Sequence, residues 1–411
     1  MARAIQASSE DVARGQRVRY VRATDEFVFA GRPRPGFPLI LDDSMEPAQP
    51  FHDYLLYRLL ESGKALDQKT WEAYGRRLWD FARFLQANEW CWDDPFMSVG
   101  QSVVSVYRDW QAQDLKLDPA TINARLELVT AMYRWAHERG RIDRLPFTCS
   151  DVAVYGIEHD LTHITGGRKR SSRPAVLLNE WNKEPAFLTA DQLKIVRQSI
   201  RSAAQRLLFD LMARVGLRSV EARTFPLSYV VDPRTQKAWK PGTFIDVRLD
   251  PRDMEIKFNK SRVVHVPYSL MEDMYAYTTF ERNGLADAAD RKELILTIHG
   301  QRYSKESAVK VYTDLSNTVG FRVRPLMLRH SYAIHTLLLL RSRPEIPMEP
   351  LMYVRDRLGH ASVQTTMVYL QQIERLLGAE ALAMMDEFDR LYGVGKALAT
   401  APHASTVDPR H

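Results

Sequence analysis

Over residues 68–86 the apolar positions recur with a helical period. Trp71, Tyr74, Leu78, Phe81 and Leu85 fall on one face, with Arg76, Arg77 and Arg83 between them. The period returns in LDPATINARLELVTAMYRWAHERG at Ile122, Leu126, Val129 and Tyr133. Asp118 and Pro119 supply an N-cap and a first-turn proline there, and Gly140 ends the run. With the apolar clusters around Tyr54 and from Val103 to Trp110, this predicts a domain of four or five helices over residues 49–150, its aromatic rings packed in a core.

Residues 1–48 hold no sustained period, and AGRPRPGFP resists both helix and sheet, so they read as an N-terminal arm whose arginines either lie along phosphates or are simply solvated. GGRKRSSRPA marks a basic linker over 151–185. Thr189 and Gln192 then form a capping box, and AQRLLFDLMARVG is a second helix. Three strand-type segments follow, TFIDVRL, MEIKF and VVHVPYS, separated by the turn-like DPRD and NKSR. Helix returns with the long apolar RPLMLRHSYAIHTLLLL. The fold class expected is mainly α with a small antiparallel β-sheet: a helical domain, then a mixed α+β domain over 186–376, then a C-terminal helix and tail over 377–411 that begins with AEALAMMDEFDRLY.

Composition narrows the function little. At 411 residues, 45% hydrophobic and 26% charged, the chain is ordinary for two globular domains. No apolar run approaches the ~20 residues of a membrane span, and the N-terminus has no apolar signal core, so a cytoplasmic protein is expected. Cys91 and Cys149 have no zinc-ligand spacing, and no metal is expected. A net charge of +6 and a pI near 9.1 lean mildly towards a polyanionic partner.

The sharper signals are individual residues. Arg218 in GLRSVE stands three before Glu221, which orients it or caps a turn. Arg329 in LMLRHSYAIH is a charge within an apolar helix, and burying it calls for an anionic partner, either an internal carboxylate or a phosphate. Tyr332 and His335 on that helix read as core. LGHASVQTTMVYL sets His360 after Gly359 and nine residues before Tyr369.

Taken in order, Arg218, Lys257 in KFNKSR, Arg329, His360 and Tyr369 resemble the tyrosine recombinases, or phage-type integrases. The likeness covers about 186–376, and the helical domain before it resembles that family's SAM-like core-binding domain. The resemblance implies DNA strand cleavage and rejoining through a 3′-phosphotyrosyl link, without cofactor. Attack on a phosphodiester concentrates negative charge on its non-bridging oxygens, and planar, permanently charged forks clamp it, the role implied for Arg218 and Arg329. Tyr369 would be the nucleophile. Lys257 would protonate the departing 5′ oxygen, with Lys260 as its rival, and His360 would donate a hydrogen bond to the phosphate. Arg262, Arg76, Arg77, Lys169 and Arg170 are further candidates for DNA contact, although Arg262 equally suits a solvated turn.

One position departs from the pattern. Leu326 stands three before Arg329, where the family has a histidine, and leucine cannot take a proton from Tyr369. A slower enzyme is expected, with water or a neighbouring group as acceptor. His330 is a candidate substitute, although its place on an apolar helix reads more simply as core packing. The resemblance further implies a clamp around double-stranded DNA, a homotetramer on paired sites, a C-terminal helix docked on a neighbouring subunit, accessory recombination proteins, and a bacterial, nucleoid-associated setting. The function read here is a site-specific recombinase or integrase of a mobile element. A catalytically impaired DNA-binding regulator, a chromosome resolvase and a type IB topoisomerase-like nicking enzyme are the other readings.

Overall fold

The computed structural model describes residues 5–6, 18–62, 68–98, 101–153, 170–180, 184–343, 345 and 348–375, in two compact units that divide between Asn182 and Lys183. Lys169 and the segment from 377 onward lie outside the described residues, and of Arg170 only the backbone is described.

The first unit is built on helices α1 (Phe51–Leu56), α2 (Gln68–Ala87), α3 (Val103–Gln113) and α4 (Pro119–Glu138). The Asp118 carboxylate caps α4 by accepting from the Ala120 and Thr121 N–H groups at 3.1 and 3.3 Å. Leu78, Phe81 and Leu85 of α2 meet Tyr107 of α3 and Leu126, Val129 and Tyr133 of α4 in one core.

The stretch expected as an arm contributes to that core. Strands β1 (Arg19–Ala23) and β2 (Pro38–Leu41) pair antiparallel, and Val21, Leu39 and Ile40 are buried with the helices. The prolines and glycines of AGRPRPGFP turn the chain between the strands. Gly75, in the middle of α2, makes room for them: a Cβ there would lie 2.3 Å from the Cβ of Pro38 and 2.8 Å from the Tyr20 ring. The linker stretch likewise contains a strand pair, Cys149–Ala153 with Arg170–Pro174.

The second unit contains α5 (Ala190–Ser199), α6 (Ala203–Arg214), α7 (Ser219–Arg223), strands β3 (Phe244–Leu249) and β4 (Arg262–Pro267), α8 (Tyr268–Phe280), α9 (Lys305–Val319), α10 (Pro325–Arg341), α11 (Pro350–Leu358) and α12 (364–375). The Thr189–Gln192 capping box is formed in both directions. In the β3–β4 ladder Ile245 pairs with Val266 and Val247 with Val264, so the buried side chains of both strands share one face.

MEIKF is not a strand. Met254 and Ile256 are buried as anchors of the β3–β4 connection, and Lys257–Asn259 form a tight turn with Phe258 at φ 68° and Asn259 at φ 51°. The sheet therefore has two strands where three were expected. Alternating burial was real, but it fixes a turn to the core and builds no third ladder.

Helix α10 is apolar on opposite faces because it separates two cores. Leu328 enters the main cluster, while Ala333, Ile334 and Leu337 join Val354 and Leu358 of α11 and Tyr369 and Ile373 of α12. The connection before α7 closes on it. Gly216 sits at φ +76°, and a Cβ there would fall 2.4 Å from the Tyr332 ring. Gly216→Ala is expected to combine left-handed backbone strain with a clash, lowering stability by about 2 kcal/mol. Thermal or urea denaturation checks this, and an unchanged midpoint would mean that Tyr332 yields freely.

Candidate active site

A buried carboxylate organises the site. Glu221, in the first turn of α7, accepts the Arg218 backbone N–H at 2.8 Å and Arg218 Nη1 at 3.1 Å. Arg262 reaches it from β4 with both fork nitrogens, Nη1 at 3.0 Å and Nη2 at 2.6 Å. Burial pushes the Glu221 carboxyl up, but the Arg262 hydrogen bonds and the charges of Arg262 and Arg329 outweigh it, so the group is held below its ordinary value. Arg262 is thus not on a solvated turn, one of the two readings that the sequence left open beside a DNA contact. Its side chain is 8% exposed, and its fork is committed to Glu221.

The C-terminal end of α11 supplies the other acceptors. Arg262 Nε donates to the Arg357 carbonyl at 3.0 Å. Arg329, on α10, donates through Nη2 to the Leu358 carbonyl at 2.5 Å and through Nη1 to the Gly216 carbonyl at 2.6 Å. These are oxygens that a helix end or a sharp turn leaves without intrahelical partners, so each guanidinium satisfies an orphan. Gly359 ends α11 at φ +63°, and a Cβ there would meet Arg262 Cδ at 2.9 Å. Among the described residues no carboxylate pairs directly with Arg329. Burial, reinforced by the positive charge of Arg218, pushes it down to about 9.

His360 and Tyr369 lie beside these arginines. The His360 ring stands 6.2 Å from that of Tyr369 at an interplanar angle of 20°, and its Nδ1 lies 2.9 Å from the buried Thr366 hydroxyl. Burial, then Arg329 and Arg218, lower it to about 3. Burial raises the Tyr369 hydroxyl, while the charges of Arg329 and Arg218 pull it back down. Its hydrogen-bond partner is His330 Nδ1, at 2.8 Å. His330 thus packs half-buried against the Tyr369 ring and is hydrogen-bonded to its hydroxyl. Burial and the adjacent Arg329 lower it to about 4.

Leu326 is 61% exposed on the first turn of α10. Lys257 and Lys260 are exposed on the β3–β4 turn, Lys257 with its Nζ 4.8 Å from the Phe258 ring centre. The turn is tied to α7 at Thr224, whose hydroxyl accepts the Glu255 N–H at 3.1 Å. Neither lysine is in contact with the arginine cluster. His335 and Tyr332 do pack as expected, His335 with Nε2 2.9 Å from the Leu188 carbonyl. In the first unit, Arg76 pairs with Glu72 at 3.1 Å and Arg77 is half-buried. No group of three or more His, Cys, Asp or Glu side chains suited to a metal occurs among the described residues, and no helix among them is long and apolar enough to cross a membrane.

Residues 186–375 match the model of the phage integrase family. Transposase A from transposon Tn554 of Staphylococcus aureus is 22% identical over 268 residues, 63% of this chain and 68% of that protein. Tyrosine recombinase XerD of Mycobacterium leprae is 28% identical over 200 residues, 45% of this chain and 56% of its own. Among solved structures, XerH site-specific recombinase in a post-cleavage complex with palindromic difH substrate superposes with a TM-score of 0.52 at 17% identity, covering 80% of this chain and 83% of that one. The Tn1549 transposon integrase in complex with circular intermediate DNA gives 0.51 at 14% identity, covering 78% and 93%. These two share the fold.

Glu221→Gln removes the anion between two arginines, and loss of one partner of a buried pair costs about 3–5 kcal/mol. Glu221 titrates below its ordinary value in the folded protein, so its stabilisation is complete above the unfolded value of about 4.5 and is lost as pH falls through the lower folded value. Urea denaturation should show wild type and variant far apart at pH 7 and converging in acid. A gap that persists unchanged to pH 3 would contradict the role given to the carboxylate.

Proposed function

We propose that this chain is a tyrosine recombinase of the phage integrase family, whose model matches residues 186–375, and that Arg218, Arg329, His360 and Tyr369 carry out its cleavage and rejoining of DNA strands. The chain is a site-specific recombinase of the kind found with mobile elements. The observation that carries the assignment is the Tyr369 hydroxyl held next to a cluster with more positive than negative charge. Arg218, Arg262 and Arg329 face one carboxylate, Glu221, and a phosphodiester offers the negative charge that the cluster lacks.

Arg329 keeps its guanidinium on the carbonyls of Gly216 and Leu358, so the fork is fixed before substrate arrives. Arg218, with 20% of its side chain exposed, has donors left over from Glu221 for a non-bridging oxygen. His360, with Nδ1 turned to Thr366, presents Nε2 as a further donor. The tyrosine oxygen attacks phosphorus, the bond to the 5′ oxygen breaks, and the strand stays joined to Tyr369 through its 3′ phosphate. Storing the bond in this ester lets the released 5′ hydroxyl reverse the step without ATP.

Lys257 is the preferred donor of the proton to the leaving oxygen. It precedes the strained Phe258–Asn259 step, on a turn that the Thr224 hydroxyl fastens to the α7 helix carrying Glu221. Exchange between two duplexes calls for two pairs of protomers, hence a tetramer on paired sites.

A pool of nicked duplexes with randomised centres tests this reading. DNA that stays attached to the protein after denaturation is recovered and sequenced, which also defines the site. Wild type should yield adducts and Tyr369→Phe none. An empty wild-type sample, or adducts from Tyr369→Phe, would overturn the assignment. On the recovered site, Lys257→Ala should slow cleavage about 10²-fold or more. A 5′-bridging sulfur substrate, whose leaving group needs no proton, should restore it. Restoration of Lys260→Ala instead would give Lys260 the role.

A further inference from the structure

Resting on the recombinase reading, we propose that His330 is the general base of cleavage, taking the hydroxyl proton of Tyr369 on Nδ1 and returning it when the strand is rejoined. Among the described residues it is the one side chain hydrogen-bonded to that hydroxyl, at 2.8 Å, and the two rings lie 5.4 Å apart at 55°. His360 cannot serve in the same way. Its Nδ1 is occupied by Thr366, and its ring lies nearly parallel to that of Tyr369. Leu326 has no acceptor. It is also one helical turn before His330, and positions four apart lie on the same face of a helix. The proton acceptor has moved one turn along α10, from an exposed position to a half-buried one.

Every atom is accounted for. In cleavage the Tyr369 O–H bond breaks as the bond from its oxygen to phosphorus forms, and the proton moves to His330. The departing 5′ oxygen takes a proton from a separate acid on the lysine turn. In rejoining the 5′ hydroxyl gives its proton to that lysine, and the tyrosine oxygen leaves with the proton held by the His330 imidazolium.

The charges facing His330 explain how a ring so hard to protonate can act. Burial first, and then Arg329, its neighbour on α10, disfavour the imidazolium, and His360 and Tyr369 face it from the segment after α11. In the free protein His330 is therefore neutral well below neutral pH, with a lone pair free to accept. A phosphodiester on Arg329 and Arg218 cancels the opposing charge, and the second negative charge that develops at phosphorus then favours the imidazolium. Binding of substrate and activation of the nucleophile are coupled through Arg329.

Single-turnover cleavage of the site recovered above tests the proposal, with adduct formation by wild type as the control for the recombinase reading itself. His330→Ala should bind that duplex as wild type does and cleave it about 10²–10³-fold more slowly. The 5′-bridging sulfur substrate should not restore it, in contrast to Lys257→Ala. His330→Asn places a hydrogen-bonding atom near the Nδ1 position but cannot carry the proton. It should be as slow as His330→Ala, and a wild-type rate in it would reduce His330 to a positioning residue. The wild-type rate should fall below an apparent pKa between about 4 and 6.5, and in His330→Ala it should climb about tenfold per pH unit instead, with hydroxide as the acceptor. Without DNA, nitrogen NMR of histidine-labelled protein should show His330 protonated on Nε2. A neutral ring protonated on Nδ1, or full cleavage by His330→Ala, would overturn the proposal.

Discussion

A guanidinium buried in an apolar helix must be given acceptors, and the second unit is arranged around that requirement. Arg329 has its acceptors in the turn before α7 and in the last carbonyls of α11. Each bond ties α10 to an element distant in sequence. Gly216 and Gly359 are glycines because each occupies a left-handed conformation where a side chain would strike Tyr332 or Arg262. The same carbonyl-rich helix end holds Arg262, which in turn fixes Glu221, which fixes Arg218. The cluster is one connected structure, and its excess positive charge is fixed in place before any phosphate arrives.

That excess has an energetic meaning. Neutral acceptors satisfy the donors of Arg329 without cancelling its charge, so burial, reinforced by Arg218 and only partly offset by Glu221, leaves its proton held less tightly than usual. A carboxylate in place of those carbonyls would cancel that charge and attract a phosphodiester less. The arrangement keeps an affinity for anions, as expected where a site is organised in advance for charge that develops during reaction.

Much of this was legible in the sequence, for reasons that differ by residue. Helices α2, α4, α5, α6 and α10 follow from periodicity and capping because those signals are local. The β1–β2 pair was not legible, since AGRPRPGFP disfavours regular structure only within its own span, and the glycine that accommodates the strands, Gly75, lies in a helix far along the chain. MEIKF alternates as a strand does because burial of Met254 and Ile256 has the same period whether it serves a ladder or a turn. The exposed Leu326 was identifiable as a departure from the family pattern, but what it departed towards was a distance in space. The partners of Arg262 and His330 could not be read from the sequence for one shared reason: each is set by tertiary contact, Glu221 for the first and Tyr369 for the second.

The proposed role of His330 would move the proton acceptor one turn from the position of Leu326 while the helix stays the same. Positions 326 and 330 share a face of α10, and Arg329 lies beside that face with its fork directed to α11. A base at 326 would sit at an exposed first turn and act from the solvent side. A base at 330 is half-buried beside Arg329 and hydrogen-bonded to the Tyr369 hydroxyl. Exposure would make the first histidine basic in free protein and substrate complex alike. Under the proposed mechanism the second, kept neutral by burial and then by Arg329, would accept the tyrosine proton more readily once a bound phosphate offsets that charge. With Tyr369 as the proposed nucleophile, that coupling would restrict ester formation with DNA to the bound site.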